Sequence, residues 1–432
     1  MMIESATMTQ QEVFKNLNKN DKGTTQQTIG NCVYALEHDP MLAGKIRFNI
    51  LAGRDSIVGD VGWARTGDPI TDRDLSYLKL YLEQHYHLNN EKHLKDALRI
   101  IAGENRFHPI REYLESLEWD GQERIAHALT RFLGAEECRF NTECLKVFMM
   151  GAISRVFRPG CKFELMLCLV GGQGAGKSTF FRFLAVKDEW FSDDLKKLDD
   201  DNVYRQLQGH WIIEMSEMLA TANARSIEEI RSFLSRQKEI YKIPYEIHPE
   251  DRLRQCVFAG TSNSLDFLPL DRAGNRRFLP IMVDQRNAEV HILEDEEESR
   301  AYIDQMWAEA MTIWHSGDFR LALPADLAEE ARTRQREFMP EDTITGQIQS
   351  WLDGWKEDYV CSRQIYDLAL GRFGSPKQWE TREINDIMNN SITGWERGPA
   401  RRIPGYGTQR TWKRKAEVEV APMAQLELPE GW

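Results

Sequence analysis

The stretch LMLCLVGGQGAGKSTFFRFL, residues 165–184, constrains the fold of this chain more than any other feature. Its centre, Gly171 to Ser178, fits the pattern G-x-x-x-x-G-K-[ST] without a mismatch. The apolar run from Leu165 to Val170 has the length of a buried parallel strand, and Thr179 to Ala185 continues as a helix. Strand, glycine-rich loop and helix in this order predict an α/β domain with a parallel-sheet core.

The same loop predicts a nucleotide site. Glycines let the backbone turn its N–H groups inward, and the helix N-terminus adds partial positive charge. Lys177 would reach the β- and γ-phosphates, and Ser178 would place its hydroxyl on Mg²⁺. We predict that ATP or GTP binds here; a glycine turn between two ordinary elements is the alternative. The predicted nucleotide-binding residues are Gly171, Gly172, Gln173, Gly174, Ala175, Gly176, Lys177, Ser178 and Thr179.

Length and composition narrow the class of protein. A chain of 432 residues is too long for one ordinary core and suggests two to four domains. The sequence has no apolar stretch of membrane-spanning length and no apolar signal core near its start, so we expect a cytoplasmic protein with no membrane partner. Seven scattered cysteines without a C-x-x-C pair favour reduced thiols over a zinc site. The net charge of −13 excludes a uniformly basic surface but leaves room for a local basic groove.

The pattern along the chain predicts four segments. Residues 1–25 are polar and are expected to be flexible. Residues 26–138 indicate a mixed, mostly helical domain. Residues 139–340 alternate apolar strands with helices, as a nucleotide-binding α/β domain does. After a polar linker, residues 346–432 form a small last domain.

Hydrolysis requires a carboxylate from a second strand, which HWIIEMSEM, residues 210–218, offers. Trp211 to Ile213 is apolar, Glu214 stands where such a strand ends, and Glu217 follows three residues later. We assign Glu214 to Mg²⁺ and Glu217 to polarising the attacking water, or the two roles reversed. The alternative is an amphipathic segment with two surface glutamates.

A third apolar strand, QCVFAGTSNS, ends in Asn263, whose amide can orient a water at the γ-phosphate. An ordinary exit from strand to turn is the alternative. The following LDRAGNRRFLPI contains the adjacent Arg276 and Arg277 before another apolar strand. An arginine donated to a neighbour's γ-phosphate completes many such sites, whereas a salt-bridged surface pair is the alternative.

The end of the chain indicates a winged helix-turn-helix. Pro376 has a position in the first turn of a helix whose apolar stripe contains Ile384, Ile387 and Met388. Two short strands around Tyr406 would make a β-wing. From Arg397 onward to Lys415 the wing has seven Lys or Arg residues and no acid, which suits a phosphate backbone. The predicted DNA contacts are Arg401, Arg402, Arg410, Lys413 and Arg414. The alternative is a small packing domain with a solvated basic tail.

Taken together, the motifs GGQGAGKS, WIIEMSEM, FAGTSN and GNRRFLPI resemble the virulence-associated E family. Members of that family are phage and mobile-element ATPases related to superfamily 3 helicases, within the AAA+ class. HPIREYLESLEWDG and SRQKEIYKIPYEIHP also fit the family's pattern. The resemblance is good over residues 105–285 and weaker over 30–105. One departure is Glu-Met-Ser-Glu in place of an adjacent acidic pair, which leaves open which glutamate holds the metal.

The resemblance implies a ring, a hexamer, with ATP and Mg²⁺ between subunits. Lys177, Ser178, Glu214, Glu217 and Asn263 would act from one subunit, and Arg276 or Arg277 would reach across from its neighbour. It also implies a hairpin within residues 239–255 that points into a central channel and grips single-stranded DNA; a plain surface hairpin is the alternative. The hairpin residues predicted to bind DNA are Lys242, Tyr245, His248, Arg252 and Arg254.

The expected function is therefore an ATP-driven, ring-forming DNA helicase or translocase that replicates a phage or mobile element in the cytoplasm of a bacterial host. The C-terminal domain would bind duplex DNA. The alternative is an ATP-regulated DNA-binding initiator or regulator that does not unwind DNA. A small-molecule kinase explains neither the basic wing nor the arginine pair. The sequence shows no primase motif, so a separate primase or a missing N-terminal domain would supply any priming.

Overall fold

The structure of this protein, a computed structural model, describes residues 8–195, 198, 203–215, 224–241, 250–268 and 275–415. It is a mixed α/β fold with a parallel sheet, as the sequence predicts. The chain divides into two compact units. The first contains Met1–Phe267 and Arg276–Glu337, and the second contains Leu268–Asn275 and Phe338–Trp432.

Among the described residues of the first unit, helices and strands alternate one by one only between residues 139 and 241. Its helices are α1 (Gln10–Asn16), α2 (Ile29–His38), α3 (Asp72–Tyr86), α4 (Glu91–Glu104), α5 (Pro109–Glu115), α6 (Ala128–Leu133), α7 (Arg139–Phe157), α8 (Lys177–Leu184), α9 (Val203–Leu207), α10 (Ala224–Leu234), α11 (Glu296–Ser316) and α12 (Ala328–Glu337). Its strands are β1 (Ile46–Asn49), β2 (Arg54–Ile57), β3 (Arg106–Phe107), β4 (Met166–Val170), β5 (Phe191–Ser192), β6 (Ile212–Glu214), β7 (Lys238–Tyr241), β8 (Glu250–Leu253), β9 (Val257–Ser262) and β10 (Phe278–Met282).

The N-terminal part of this unit has its own small core. Helices α1 to α4 share this core with β1 and β2, which belong to a three-stranded sheet with the order β2-β1-β3. Side-chain oxygens of Thr9, Thr28, Thr71 and Asn90 accept backbone N–H bonds at the starts of these four helices. Such N-caps satisfy N–H groups that have no partner within the helix, which explains where each helix begins.

A five-stranded parallel sheet forms the centre of the first unit. Its order is β10-β4-β9-β6-β5, and every neighbouring pair is parallel. All five residues of β4 are buried, as expected for a strand covered on both faces. Two buried indoles contact each other beside the sheet: the ring centroid of Trp211, which precedes β6, lies 4.3 Å from that of Trp307 on α11, with the ring planes tilted by 30°. Parallel pairing brings the carboxyl ends of β4, β6 and β9 to one edge of the sheet.

A two-stranded antiparallel hairpin leads into β9. Its pairing runs from Lys238 opposite Leu253 to Tyr241 opposite Glu250. The hairpin predicted within residues 239–255 is therefore present at its base. The segment between the two strands, residues 242–249, lies outside the described residues.

The second unit combines three helices with a small antiparallel sheet. Its elements are α13 (Thr343–Asp353), β11 (Tyr359–Cys361), α14 (Ser362–Gln364) with a π-helical turn (Ile365–Ala369), α15 (Gln378–Asn390), β12 (Trp395–Ile403) and β13 (Gly407–Arg414). The sheet order is β11-β13-β12. The predicted stripe of Ile384, Ile387 and Met388 is buried on α15, and the predicted strand pair around Tyr406 is β12 and β13. Across the described part of both units, no helix has the length and apolarity needed to cross a bilayer.

Candidate nucleotide site and nucleic-acid surfaces

The glycine-rich loop leaves the end of β4 and enters α8. Gly174 and Gly176 have φ angles of +82° and +75°, in the left-handed region that favours glycine. Gly171 meets a different constraint, because an added Cβ would collide with the backbone carbonyl oxygen of Val283 just after β10. Gly172, by contrast, has open space around it. The glycines at positions 171, 174 and 176 are thus required by backbone geometry.

Lys177 is the first residue of α8, and its ammonium group is held inside the loop. Its Nζ donates to the carbonyl oxygens of Gly171 and Gly172, each at 2.7 Å, and to Oδ1 of Asn263 at 2.9 Å. Burial lowers the pKa of Lys177, while the charge of Glu214 acts in the opposite direction. The lysine therefore connects the loop to the residue that follows β9.

Glu214 is the last residue of β6 and is only 1% exposed. Its Oε1 accepts bonds from Ser178 Oγ at 2.7 Å and from Thr261 Oγ1. Its Oε2 is buried and has no hydrogen-bond partner in the described part of the chain. Burial raises the pKa of Glu214; the bonds from Thr261 and Ser178 oppose this rise, and the charge of Asp193 adds to it.

These groups suit a magnesium ion. Mg²⁺ prefers hard oxygen ligands and is usually bound by one or two carboxylates together with phosphate oxygens and water. The Ser178 hydroxyl and the Glu214 carboxylate already contact each other, and one carboxylate oxygen is unsatisfied. A buried carboxylate oxygen without a partner requires an explanation, and a cation or its water would provide one.

The parallel sheet explains why these side chains meet. Lys177 and Ser178 follow β4, Glu214 ends β6, and Asn263 follows β9, which lies between those two strands. Of the residues predicted for this site, the structure brings together Lys177, Ser178, Glu214 and Asn263. Glu217 lies outside the described residues.

Two further side chains at this edge were not predicted from the sequence as part of the site. Thr261 donates to Glu214, and its hydroxyl near the polar end of the buried strand β9 was the available signal. Asp193 follows β5 and is close enough to raise the pKa of Glu214. No motif marks Asp193, so only the strand order reveals its position.

The arginine pair lies at the opposite edge of the sheet. Arg276 and Arg277 precede β10, and the carbonyl of Arg277 accepts the N–H of Met166, the first residue of β4. Five strand residues separate this edge from the glycine loop, roughly 17 Å at about 3.3 Å per residue. Arg277 is held by Glu164, with Nε 3.1 Å from Oε2, whereas the Arg276 side chain is 78% exposed. Neither guanidinium lies at the glycine-rich loop of the same chain.

The hairpin arginines face inward. Arg254 is 3% exposed; its Nη1 donates to the Phe233 carbonyl at 2.6 Å and its Nη2 forms an ion pair with Glu239. The prediction that Arg254 contacts DNA is therefore wrong, because its guanidinium is used inside the protein. Arg252 is half-buried, with its guanidinium against the backbone of Gly53. Lys242, Tyr245 and His248 lie outside the described residues.

The basic wing presents two exposed arginines on one face. Arg402 pairs across the hairpin with Thr408, and Arg410 with Ala400, so Arg402 and Arg410 share a face of the sheet. Both are exposed, and neither has an ion-pair partner in the part of the chain that the structure describes.

The other three predicted wing contacts interact within the unit. Arg401 stacks on the Tyr359 ring at 3.6 Å, and Lys413 is paired with Glu396 at 2.9 Å. Arg414 lies over Trp395 and donates to the Trp355 carbonyl. DNA would have to share or displace these contacts, so Arg402 and Arg410 are the better placed of the five.

A family model described as the virulence-associated protein E-like domain matches residues 114–340, more than half of the chain. The chain belongs to this family. The match includes the glycine loop, Glu214, Asn263 and the arginine pair. The family to which the sequence motifs pointed is thereby confirmed.

Comparison with solved structures finds the NrS-1 C-terminal region. Its A-form apo structure has a TM-score of 0.48 and 12% identity, covering 86% of this chain and 96% of that chain. An A-form apo structure of its residues 305–718 has a TM-score of 0.46 at 12% identity, and another apo structure of that region has 0.46 at 13%, both with the same coverage. No curated protein matches this chain.

Proposed function

We propose that this protein is an ATP-driven, ring-forming DNA helicase or translocase that replicates a phage or mobile genetic element in the cytoplasm of a bacterial host. One observation carries the proposal. Lys177, Ser178, Glu214 and Asn263 converge at one edge of the parallel sheet, while the arginine pair lies at the other edge. Such a site is complete only when a second subunit supplies the arginine.

The chemistry at the loop follows from its contacts. On ATP binding, Lys177 would exchange the carbonyls of Gly171 and Gly172 for β- and γ-phosphate oxygens. Ser178 and Glu214 would hold Mg²⁺, which screens phosphate charge when bound. Release of Lys177 would leave the Asn263 amide available to orient the water that attacks the γ-phosphorus. Glu217 is proposed to accept the proton of that water, and the bond to the β-phosphate oxygen breaks.

The arginine geometry supports an AAA+ type ring. An arginine whose backbone lies roughly 17 Å from the glycine loop of its own chain is placed to serve a nucleotide in a neighbouring subunit. Head-to-tail contacts of this kind generate a closed ring when the rotation closes, and we propose a hexamer. The arginine would stabilise charge that develops on the transferring phosphoryl group.

The nucleic-acid surfaces follow from the remaining elements. The β7–β8 hairpin extends from the same sheet edge as the arginine pair, because β8 runs directly into the amino end of β9. We propose that its tip, with Lys242, Tyr245 and His248, follows single-stranded DNA in the central channel. The order of elements in the second unit, with α15 followed by the β12–β13 wing, supports a winged helix that binds duplex DNA. A separate primase is proposed as a partner where priming is needed.

The first experiment measures ATP hydrolysis with and without single-stranded DNA over a range of protein concentrations. We expect turnover to rise with DNA and cooperatively with concentration, and to vanish in Lys177→Ala. One of the two variants Arg276→Ala and Arg277→Ala, the one that removes the trans-acting arginine, should also lose on the order of a thousandfold in kcat. Arg139→Ala is the control, since it removes another exposed arginine paired with a carboxylate. Slow hydrolysis that changes neither on addition of DNA nor on substitution of either arginine would instead favour an ATP-regulated initiator or switch.

Duplex binding by the wing has its own test. Affinity for duplex DNA is measured against salt concentration for the full chain and for single alanine variants. Arg402→Ala and Arg410→Ala should each reduce the slope of log K against log salt by about one. Lys413→Ala should change it less, because Glu396 already neutralises that ammonium. Unchanged slopes in both arginine variants would exclude this face of the wing as the duplex contact.

A further inference from the structure

Glu164 contacts both Ser235 and Arg277, and we call these three residues the junction. The proposed ATP chemistry gives Glu164 no role. It lies two residues before β4, the strand that leads to the glycine loop. Its Oε2 accepts bonds from Ser235 Oγ at 2.9 Å and from Arg277 Nε at 3.1 Å, and its Oε1 lies 4.0 Å from a guanidinium nitrogen of Arg276. One carboxylate therefore contacts two separate segments of the first unit.

The carboxylate is held in its charged form. Burial acts to raise the pKa of Glu164, but the bonds from Ser235 and Arg277 outweigh it, and the pKa is lowered overall. Hydrogen bonds between an ionised carboxylate and a guanidinium are stronger than neutral ones. The Glu164–Arg277 contact is therefore a firm restraint on the turn that precedes β10.

The two segments have different roles in the proposed motor. Ser235 directly follows α10 and stands three residues before Lys238, where the β7–β8 hairpin begins. Its hydroxyl lies 2.9 Å from the Arg231 carbonyl as well, which fixes it to the helix. Arg277 belongs to the turn that presents the exposed Arg276. Glu164 thus joins the base of the hairpin to the arginine turn.

Arg276 and Arg277 also differ in their exposure and in their contacts with Glu164. Arg277 is 20% exposed and bonded to Glu164, whereas Arg276 is 78% exposed with only a distant contact to the same carboxylate. An arginine that acts on a neighbour's nucleotide must leave the surface of its own subunit. The exposure of Arg276 meets this requirement, and the restraint on Arg277 opposes it.

We infer that Glu164 is a positioning residue that anchors Arg277 to Ser235, so that Arg276 is the arginine presented to the neighbouring subunit and its placement follows the base of the DNA hairpin. This inference rests on the proposed ring motor. It assigns the trans-acting role to Arg276 and an anchoring role to Arg277. It also gives DNA at the hairpin a direct physical route to the ATP site of the next subunit.

The test uses the full chain and separates kcat from KM. Glu164→Gln keeps an acceptor for Ser235 but loses the ionised partner of Arg277. We expect its DNA-stimulated kcat to fall on the order of tenfold, because small misplacements of a catalytic group are costly, while KM for ATP stays within about twofold. Arg277→Met should likewise lower kcat and leave KM for ATP nearly unchanged. The variant that combines Glu164→Gln with Arg277→Met should lose no more kcat than either single variant. Arg276→Ala should lose far more, as expected for a group that touches the phosphate.

Ser235→Ala tests the second half of the junction. It leaves the Glu164–Arg277 pair in place and should lower the ratio of DNA-stimulated to unstimulated turnover by about two- to fivefold. Glu330→Gln is the matched control, since it removes another Arg–Glu pair, with Arg334 at 2.9 Å, away from the junction. Thermal unfolding of each variant checks that the fold persists.

The outcomes separate this inference from the motor on which it rests. If DNA stimulates the wild-type protein but Glu164→Gln and Arg277→Met retain its full stimulated kcat, the anchoring role is wrong and the motor stands. If Arg277→Met loses as much as Arg276→Ala and Glu164→Gln loses nothing, Arg277 is the trans-acting group and the assignment is overturned. If the wild-type protein shows no stimulation by DNA, the proposed function itself fails.

Discussion

At the scale of single residues, Glu214 shows how burial and function oppose each other. Its carboxylate is buried at the end of β6 with one oxygen unsatisfied, and burial raises its pKa. An ionised group in such a place destabilises the fold without its cation. The same position would make it an effective ligand for the Mg²⁺ that we propose arrives with the nucleotide.

The raised pKa of Glu214 gives a prediction with a definite sign. In the unfolded chain this carboxyl titrates near its ordinary value, whereas in the fold it titrates at higher pH. Its stabilising contribution is complete below the unfolded pKa and is lost as pH rises through the folded pKa. We expect Glu214→Gln to gain stability relative to wild type as the pH rises above 4.5, the ordinary value of the carboxyl, in melts without nucleotide. A difference in melting temperature that stays constant over this range would contradict the raised pKa.

Gly171 and Gly172 are neighbours in the loop but differ in the space around them, so alanine substitutions at the two positions can be compared directly. Gly171→Ala places a Cβ against the Val283 carbonyl, and backbone cannot move aside cheaply. We expect it to lower the unfolding free energy of the first unit by about 1–3 kcal/mol, as overpacking typically does, and to weaken ATP binding. Gly172→Ala, with open space around it, should change stability by less than about 0.5 kcal/mol. Calorimetric unfolding compares the two, and equal effects would mean that the contact with Val283 is not limiting.

At the scale of elements, the base of the β7–β8 hairpin depends on one buried ion pair. Arg254 and Glu239 are paired there, and the guanidinium lies 4.6 Å from the Phe233 ring. Without Arg254, Glu239 keeps only the more distant and more exposed Arg236, at 3.8 Å. Loss of one partner of a buried pair costs about 3–5 kcal/mol. Replacing both by apolar residues of similar size avoids that cost.

Arg254→Met should therefore destabilise the first unit by about 3 kcal/mol or more, while Arg254→Met with Glu239→Leu should regain most of the loss. Thermal unfolding measures both variants. The control is Lys238→Met, which removes an exposed pair with Asp251 and should cost at most about 1 kcal/mol. If Arg254→Met melted like wild type and only lost DNA affinity, the structural role of Arg254 would be refuted.

At the scale of the whole molecule, the proposed site would be divided between subunits. The glycine loop and the arginine pair lie at opposite edges of one sheet, so each subunit would contribute one half to each of two sites. This separation would allow the proposed ring to couple the nucleotide state of one site to that of the next. It also makes the assembly testable by mixing variants.

Lys177→Ala and Arg276→Ala should each be inactive alone. In an equal mixture that exchanges subunits, some interfaces combine an intact loop from one variant with an intact arginine from the other. Random mixing makes this about a quarter of all interfaces, so up to about a quarter of wild-type turnover should return. Mixing Lys177→Ala with wild type is the control for exchange. No recovery despite demonstrated exchange would place the arginine and the loop in one subunit.

Much of the site could be predicted from local patterns. The GGQGAGKS motif, the glutamate that ends an apolar strand and the stripe on α15 each depend on neighbours a few residues apart, which the sequence displays directly. The family match over residues 114–340 agrees with these motifs. For this reason the loop, Glu214, Asn263 and the strand pair of the wing all lie where the sequence indicated.

Other features required the folded chain, because they depend on residues distant in sequence. Arg254 looks like a DNA contact until its burial against Glu239 and Phe233 is seen. Arg276 and Arg277 are indistinguishable as a dipeptide, and only Glu164, more than a hundred residues earlier, separates an anchored guanidinium from an exposed one. The sequence by itself determined the mixed α/β class with its parallel sheet, the family and the composition of the glycine-rich loop. Tertiary structure alone decided which charges are paired inside and which remain exposed, because burial and ion pairing depend on which strands lie side by side.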